Sequence, residues 1–160
     1  MTNRTFEKAF ISDIDGVVVD FIFDEPGAKE RTQEFLDELK ALRPNNDIIK
    51  SYKSFNDRGF DFYFVTGRPD NDDCITKNIH LAAFGFKYRL KHASYKNKEQ
   101  YIHDKITEIE KIVKKYKYII IIDDDINIFN AVEKNIIGKY TKKEIHVILY
   151  PQQAKRLDKL

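Results

Sequence analysis

Three apolar stretches of the chain end abruptly in polar residues whose types and spacing could do chemistry. An isolated carboxylate is costly to bury, so acids that directly follow a buried strand indicate a metal ion, a reacting group, or both. Three such strand ends brought to one edge of a sheet would form a catalytic centre. The three endings are Asp13-Ile14-Asp15-Gly16, Thr66-Gly67-Arg68 and the acidic residues 123–125.

Predicted strands and helices alternate along the chain, and this alternation indicates how the endings are brought together. It predicts a doubly wound parallel sheet with right-handed crossovers. Ligands of such sheets bind at the carboxyl ends of the strands, where Asp13, Thr66 and Asp124 lie. The predicted strands cover residues 9–14, 60–65, 87–92, 118–122 and 144–150, and the predicted helices cover residues 28–42, 70–84, 105–116 and 126–135, with one more helix capped by Asn46 or Asp47 and closed by Gly59.

Size and composition limit the class of protein. With 160 residues, 42% of them hydrophobic and 34% charged, the chain is predicted to form one globular domain over residues 1–160. The formal net charge of +2 permits a nucleic-acid partner without requiring one. Its one cysteine, Cys74, excludes an internal disulfide and favours a reducing, cytoplasmic location. Residues 1–8 are unlike a secretory signal, and no apolar run is long enough to span a membrane.

In the order of these three strand endings, the chain resembles the haloacid dehalogenase-like (HAD) phosphohydrolases. Their first motif, Asp-x-Asp-Gly after the first strand, is matched by Asp13 to Gly16. Thr66 matches the Ser or Thr that ends the second strand, and Asp123 and Asp124 match the later acidic pair. This resemblance spans nearly the whole chain. It implies a HAD Rossmann-like three-layer α/β sandwich, with about five parallel strands in the order 5-4-1-2-3 and helices on both faces.

The resemblance also implies an activity, that of a Mg²⁺-dependent phosphatase working through an aspartyl-phosphate. Asp13 would be the nucleophile, and Mg²⁺ would let its carboxylate approach an anionic phosphate. Asp15 would serve as general acid and then as general base, and its backbone carbonyl would bind the metal. Gly16 would let the chain turn away with no side chain near the phosphate.

The acidic residues 123–125 are expected to complete the magnesium site. By the family pattern Asp124 is the direct ligand, with Asp123 behind it or as a weaker ligand. Asp125 leaves the register open, because the pair could equally be Asp124 and Asp125. One of the three acids should cap the helix that follows, and Asp125 is the natural candidate.

The second and third family motifs supply the remaining site residues. Thr66 would hydrogen-bond a phosphoryl oxygen, with the backbone N–H groups of Gly67 and Arg68 beside it. The Arg68 side chain would add a charge-assisted contact to the substrate. The third motif is a lysine near the start of the helix before the fourth strand. Lys105 is the expected residue, and Lys98 is the alternative.

The spacing of the motifs narrows the substrate class. Neither gap between motifs has room for a full cap domain beside the core elements, so residues 21–45 could form at most a flap or minimal lid. Capless members of the family often act on macromolecular ends. Residues 46–68 are also similar to the phosphatase part of polynucleotide kinase-phosphatases. This similarity implies action at nucleic-acid 3′ ends, with any kinase or ligase supplied by a separate chain because this one has no Walker motif.

Alternative functions stay open. The segment that starts at Asp13 is similar to deoxyribonucleotidases as well, and a nucleotide or small-metabolite phosphatase is the alternative within the same class. A non-catalytic HAD-like binding domain is the alternative of another class, against which the intact Asp13, Asp15, Thr66 and Asp124 argue. The basic residues between 87 and 98 could hold a nucleic-acid backbone or be a solvated surface.

Overall fold

A five-stranded parallel sheet lies at the centre of the computed structural model, which describes residues 6–20 and 29–160. The order across the sheet is β3-β2-β1-β4-β5, and every neighbouring pair is parallel. This is the predicted order 5-4-1-2-3 read from the other edge, so the predicted fold class is confirmed. The strands are β1 (Phe6–Ser12), β2 (Asp61–Thr66), β3 (Tyr88–His92), β4 (Tyr116–Asp123) and β5 (Glu144–Leu149).

Helices cover both faces of the sheet because successive strand residues point to opposite sides. Phe10 of β1 packs in a layer with the two helices that precede β2, whereas the next residue, Ile11, packs with the helices on either side of β4 in the sequence. Both faces of the central strands are therefore apolar, as expected for a buried parallel sheet. The helices are α1 (Gln33–Lys40), α2 (Asn46–Asp57), α3 (Asp73–Ile75), α4 (Lys98–Val113) and α5 (Ile126–Val132).

The strand register brings the three polar endings to one edge of the sheet. Ser12, the last residue of β1, lies between Phe64 of β2 and Ile122 of β4. The backbone N–H of Asp13 then donates to the carbonyl oxygen of Ile122 at 3.0 Å. Thr66 and Asp123, the last residues of β2 and β4, therefore flank Asp13 at the carboxyl edge.

Three predicted helix starts were wrong, and in each case a capping side chain explains the observed start. Thr32 accepts from Phe35 N at 3.1 Å, so α1 begins at residue 33 rather than at residue 28, which lies outside the described residues. Asn45, not Asn46 or Asp47, caps α2. Asn97 accepts from Gln100 N at 2.9 Å, so α4 begins at Lys98 and Asp104 lies inside it. The apolar periodicity had marked only the buried half of α4.

The segment that follows β2 differs most from the prediction. Residues 70–84 form four short pieces of 3₁₀, α, π and 3₁₀ helix instead of one helix. Asp72, Thr76 and His80 are buried polar residues of this segment. Their partners lie outside it and are Arg31, Arg68 and Leu39, respectively. Gly85 ends the segment with a φ of 68°. A π-turn (Glu133–Ile137) also extends α5, and a 3₁₀ helix (Ala154–Lys159) that was not predicted follows β5.

Some of the predictions made from the sequence are not tested by the structure. The predicted flap over residues 21–27 lies outside the described residues, and the single-domain assignment stays a prediction. In the part of the chain that the structure describes, every helix is too short or too polar to cross a lipid bilayer. Cys74 is an exposed free cysteine, and the cytoplasmic location inferred from it also stays a prediction.

Two of the basic residues between 87 and 98 have a structural explanation. β3 is an edge strand of the sheet, and it carries Arg89 and Lys91. Charged side chains on an edge strand oppose pairing with the edge of another molecule. The Arg89 guanidinium also lies 5.8 Å from the centre of the Tyr63 ring. These two residues therefore need no nucleic-acid partner to account for them.

Candidate active site

A buried ammonium group at the carboxyl edge of the sheet joins the first and fourth motifs. Nζ of Lys105 lies 3.0 Å from Oδ1 of Asp13 and 2.7 Å from Oδ2 of Asp123. Lys105 is 1% exposed, in the middle of α4, whereas Lys98 is the exposed first residue of that helix. The structure therefore brings Lys105 to Asp13 and leaves Lys98 at the surface.

Three carboxylates converge here, and two of them contact the ammonium group of Lys105. One oxygen from each of Asp13, Asp123 and Asp124 lies within 4.8 Å of the others. Burial raises the pKa of Asp13 to about 8; Lys105 opposes this rise, and Asp124 adds to it. Burial likewise raises the pKa of Asp123 to about 7 and that of Asp124 to about 6. Burial alone would lower the pKa of Lys105, but Asp123 and Asp13 together hold it well above its usual value.

When all three carboxyl groups are ionised, the site holds three negative charges against the one positive charge of Lys105. A hard divalent cation with oxygen ligands would supply the missing positive charge. The donor set, three carboxylates that converge at the ends of two neighbouring strands, therefore fits Mg²⁺.

Gly16 allows Asp124 to approach the first motif closely. Its φ is 80°, in the left-handed region that favours glycine. A Cβ at this position would lie 2.0 Å from Oδ2 of Asp124, which is closer than atoms can come. Any side chain here would therefore displace an acid of the cluster.

Asp125 does not join the cluster and serves the following helix instead. Its side chain accepts from Asn127 N at 2.8 Å and caps α5, which confirms the capping candidate. Its own backbone N–H donates to Oδ1 of Asp123 at 2.9 Å and so helps to orient that carboxylate. Asp123 and Asp124 are thus the pair that the structure places with Asp13.

The second motif forms the neighbouring wall of the site. Thr66 is fully buried, and its Oγ1 accepts from Arg68 N at 3.1 Å. Gly67 packs beneath an aromatic ring: a Cβ on it would lie 2.8 Å from Cε2 of Tyr101. The hydroxyl of Tyr101 in turn accepts from Lys105 Nζ at 3.1 Å. Sequence reasoning missed Tyr101, although it lies one helical turn before Lys105 on the same face of α4.

Arg68 is turned inward and holds Asp15. Its Nε donates to Oδ2 of Asp15 at 3.0 Å, and its Nη2 donates to Oδ1 at 2.6 Å. This bidentate pair fixes the orientation of the Asp15 carboxylate. Arg68 is 1% exposed, so its side chain acts on Asp15 in this structure, and its contact with substrate stays a prediction.

Two further buried residues complete the surroundings of Arg68, and sequence reasoning missed both roles. Nη1 of Arg68 donates to Oγ1 of Thr76 at 3.1 Å and to Nδ1 of His80 at 2.7 Å. His80 donates from Nε2 to the carbonyl oxygen of Leu39 at 2.9 Å. Burial and the charge of Arg68 lower the pKa of His80 to about 4, so the ring is neutral and Nδ1 is free to accept. No sequence motif marks these residues, because they meet Arg68 only through the broken helical segment.

Hydrogen bonds to its backbone and to its side chain also fix the position of Asp13. Oγ of Ser12 donates to the Asp13 carbonyl oxygen at 2.7 Å, and the buried Tyr52 hydroxyl lies 2.6 Å from the same Oγ. On the side chain, Oδ1 accepts from Ile14 N at 2.8 Å. Because Oδ1 also meets Lys105, Oδ2 is the better placed of the two oxygens to react.

Comparisons with known proteins place this geometry on a known fold. No protein-family model matches the chain, and no curated protein matches it either. Among solved structures, the chain is similar to a chain of the Pnkp1/Rnl/Hen1 RNA repair complex, with 17% identity and a TM-score of 0.61. That match covers 94% of this chain and 47% of the other, so this chain spans about half the length of its neighbour.

Two further solved structures are HAD proteins. The HAD domain of the effector protein Lem4 from Legionella pneumophila is 9% identical, with a TM-score of 0.59, and the match covers 97% of this chain and 94% of that one. A protein from Mesorhizobium loti assigned as a HAD-like phosphatase is 11% identical, with a TM-score of 0.54, over 82% of this chain and 71% of that one. At these identities the likeness shows the fold, and the chain has the fold of HAD domains.

Proposed function

We propose that this protein is a Mg²⁺-dependent phosphatase that hydrolyses phosphomonoesters through an aspartyl-phosphate on Asp13. The observation that carries the proposal is the surroundings of Asp13. This carboxylate is 7% exposed at the end of β1, shares Lys105 with Asp123, and lies beside Asp124. Thr66 ends the adjacent strand. Burial raises the pKa of all three acids, so keeping them ionised together is costly, and such perturbed clusters are typical of functional sites.

In the first step Asp13 attacks the phosphorus atom of the ester. A bond forms between Oδ2 and phosphorus while the bond from phosphorus to the leaving oxygen breaks. Asp15 gives a proton to the leaving oxygen, which departs as an alcohol. Both of its oxygens accept from Arg68 in the structure, so Asp15 must take up this proton from solvent and turn one oxygen away from Arg68 before the step. Thr66 and the backbone N–H of Gly67 would hold the phosphoryl oxygens, and Lys105 balances the charge of Asp13 and Asp123.

In the second step water removes the phosphate from Asp13. Asp15 is now a carboxylate and takes a proton from the attacking water. The water oxygen bonds to phosphorus as the bond to Oδ2 of Asp13 breaks, which releases inorganic phosphate. The sum of both steps is ester plus water to alcohol plus phosphate, and Asp15 ends with the proton it had at the start.

The magnesium ligands that we propose are Asp13, Asp124 and the backbone carbonyl of Asp15, with Asp123 as a weaker ligand. Bound there, Mg²⁺ would neutralise the repulsion between the phosphate and the Asp13 carboxylate. The protein residues would do the rest: they orient the nucleophile, hold the acid and fix the phosphoryl oxygens.

For the substrate, we propose a phosphate at a nucleic-acid 3′ end. The likeness to a chain of an RNA repair complex supports this choice, and a separate kinase or ligase chain is the partner that such a complex suggests. Within the described residues, the connections between β1, β2 and β4 hold core helices and short turns without a separate cap domain. A nucleotide or small-metabolite phosphatase remains the alternative.

Asp15→Asn provides the test of the two-step chemistry. p-Nitrophenolate leaves without needing a proton, so this variant should still phosphorylate Asp13, but it should lack the base for the second step. We expect a burst of p-nitrophenolate close to one equivalent, followed by turnover about 10²–10⁴-fold slower than in the unmodified protein. Stopped-flow absorbance measures the burst, and acid quenching with mass spectrometry detects the phosphorylated protein.

The matched control for this test is Asp20→Asn, which changes an exposed acid after the same motif. It should keep the normal rate without a burst. Normal steady turnover in Asp15→Asn would assign the base to another group. Failure of the unmodified protein to form any phosphorylated state, with any ester tried, would overturn the proposal itself.

Magnesium should raise the thermal stability of the protein, because it relieves repulsion among Asp13, Asp123 and Asp124. At a concentration about 100 times its Kd, it should contribute about 2.7 kcal/mol, or roughly 5–10 °C in Tm. Asp124→Ala should abolish this shift. Asp125→Ala should lower Tm through loss of the α5 cap but keep the shift. Melting curves with Mg²⁺ and with EDTA measure both, and the reverse pattern would move the ligand assignment to Asp125.

A further inference from the structure

The ammonium group of Lys105 is surrounded by as many acceptors as it has hydrogens. An ammonium carries three N–H donors and no acceptor. Its Nζ lies 3.0 Å from Oδ1 of Asp13, 2.7 Å from Oδ2 of Asp123 and 3.1 Å from the hydroxyl oxygen of Tyr101. Lys105 can therefore balance charge in the site, but it can donate to a substrate only if it gives up one of these acceptors.

Arg68 does not serve as a phosphoryl donor in this structure either. Its guanidinium is directed at Asp15, and the residue is 1% exposed. Its backbone N–H donates to Oγ1 of Thr66 at 3.1 Å. The hydroxyl of Thr66 and the backbone N–H of Gly67 are the proposed donors that remain. Because a transferred phosphoryl group spreads negative charge over three oxygens, a further donor in the site would stabilise it.

The hydroxyl of Tyr101 has a hydrogen to give. A phenol both donates and accepts, and the oxygen of Tyr101 accepts from Lys105. In the part of the chain that the structure describes, no acceptor takes the hydrogen of this hydroxyl. Burial outweighs the opposing effect of Lys105 and raises the pKa of Tyr101 above its usual value, so the hydrogen stays in place at neutral pH.

Tyr101 lies between the second motif and the proposed nucleophile. Its Cζ, the ring atom that carries the hydroxyl, would lie 3.4 Å from a Cβ built on Gly67. The hydroxyl oxygen lies 3.1 Å from Nζ of Lys105, which in turn lies 3.0 Å from Oδ1 of Asp13. The ring packs on that of Tyr95, with 4.6 Å between the centroids, which restricts its rotation. A phosphoryl group held between Asp13 and the backbone N–H of Gly67 therefore has this hydroxyl as a neighbour.

We propose that the hydroxyl of Tyr101 donates its hydrogen bond to a non-bridging oxygen of the phosphoryl group that Asp13 attacks. This inference rests on the proposed phosphatase function and adds a catalytic residue to it. Donation from Lys105 into the phenol oxygen polarises the O–H bond and strengthens it as a donor. Lys105 thus acts on the phosphoryl group through Tyr101, while its own hydrogens stay with the two carboxylates and the phenol.

Tyr101→Phe should lower kcat/KM for p-nitrophenyl phosphate by about 10–100-fold, the usual loss for a hydrogen bond to a charged group. The ring and its packing are kept, and circular dichroism checks the fold. Tyr140→Phe is the matched control, because it removes a hydroxyl that donates to Glu110 of the same helix at 2.7 Å. It should leave kcat/KM unchanged. An unchanged kcat/KM in Tyr101→Phe, or an equal loss in both variants, would overturn the proposal.

Replacement of Tyr101 by 3-fluorotyrosine separates donation to the substrate from support of Lys105. Fluorine withdraws electrons from the phenol, so the O–H group becomes a stronger donor and the oxygen a weaker acceptor. If Tyr101 donates to the phosphoryl group, kcat/KM should rise above that of the unmodified protein. If Tyr101 only accepts from Lys105, kcat/KM should fall. A fall, or no change, would therefore overturn the proposal even where Tyr101→Phe lowers activity.

A binding measurement keeps this inference separate from the proposed function. Inorganic phosphate is titrated by calorimetry into the Asp13→Asn protein in Mg²⁺, with and without Tyr101→Phe. Weaker binding in the double variant is expected. Such weakening in a protein that hydrolyses no ester before mutation would keep Tyr101 as a phosphate ligand and refute the phosphatase. Phosphatase activity and phosphate binding that are both unchanged by Tyr101→Phe would keep the phosphatase and refute the role of Tyr101.

Discussion

Asp13→Asn should abolish phosphatase activity, with kcat lowered by at least about 10³-fold. An amide cannot attack phosphorus, and it is a poorer ligand for Mg²⁺ than a carboxylate. The fold should survive, because the amide oxygen can still accept from Ile14 N and Lys105 as Oδ1 does now. Hydrolysis of p-nitrophenyl phosphate measures the loss, and circular dichroism checks the fold. Retained turnover in this variant would exclude Asp13 as the nucleophile.

The effect of Asp13→Asn on the free energy of unfolding should depend on pH. Burial raises the pKa of Asp13 from 3.8 to about 8 in the folded protein, so the folded state binds a proton more tightly than the unfolded state does. Without Mg²⁺, the contribution of Asp13 to stability therefore falls as pH rises from about 4 to about 8. Asn has no proton to lose. In EDTA at about pH 8, Asp13→Asn should be at least as stable as the unmodified protein, as measured by urea unfolding.

Strand order and the positions of the acids could be predicted because both follow from local patterns and general rules. Apolar runs of strand length alternate with amphipathic segments, and right-handed crossovers then leave few topologies open. Once Asp13, Thr66 and Asp124 are assigned to strand ends, a parallel sheet must bring them to one edge. The backbone alone therefore brings these residues together, so their proximity can be predicted without knowing where their side chains point.

Side-chain partners within the site could not be predicted in the same way. Arg68 follows Thr66 in a loop, where nothing local determines whether its guanidinium faces solvent or Asp15. Its inward position depends on Thr76 and His80, and these are placed by a segment whose helix is broken into short pieces. The regular helix predicted there would have put the same residues elsewhere.

The inward position of Arg68 changes its expected role in the reaction. In the proposed mechanism Asp15 gives and takes a proton, and its bidentate contact with Arg68 restricts the rotation of its carboxylate between these steps. His80 accepts from the remaining guanidinium nitrogen because its low pKa keeps it neutral, so it adds no second positive charge next to Arg68. The buried residues Arg68, Thr76 and His80 therefore orient Asp15, the proposed acid, and Tyr101 and Lys105 of α4 orient Asp13, the proposed nucleophile.

Lys105→Met should also cause a large loss of activity, by about 10²-fold or more, together with a loss of stability. The lysine is buried between Asp13 and Asp123, and a methionine fills a similar volume without the charge. Removing one partner of a buried ion pair typically costs about 3–5 kcal/mol. The cost should be smaller at about pH 5 than at about pH 8, because protonated carboxyl groups need no cationic partner.

Urea unfolding in EDTA at these two pH values measures the stability difference, and the ester assay measures activity. Lys98→Met is the matched control, since it removes an exposed lysine from the first turn of the same helix. It should leave both quantities unchanged. Because Lys105 is the one lysine that contacts the cluster among the described residues, a loss of activity in Lys98→Met with normal activity in Lys105→Met would contradict the geometry. In that case the third-motif role would pass to Lys98, and α4 would have to present its first turn, rather than its middle, to the phosphate.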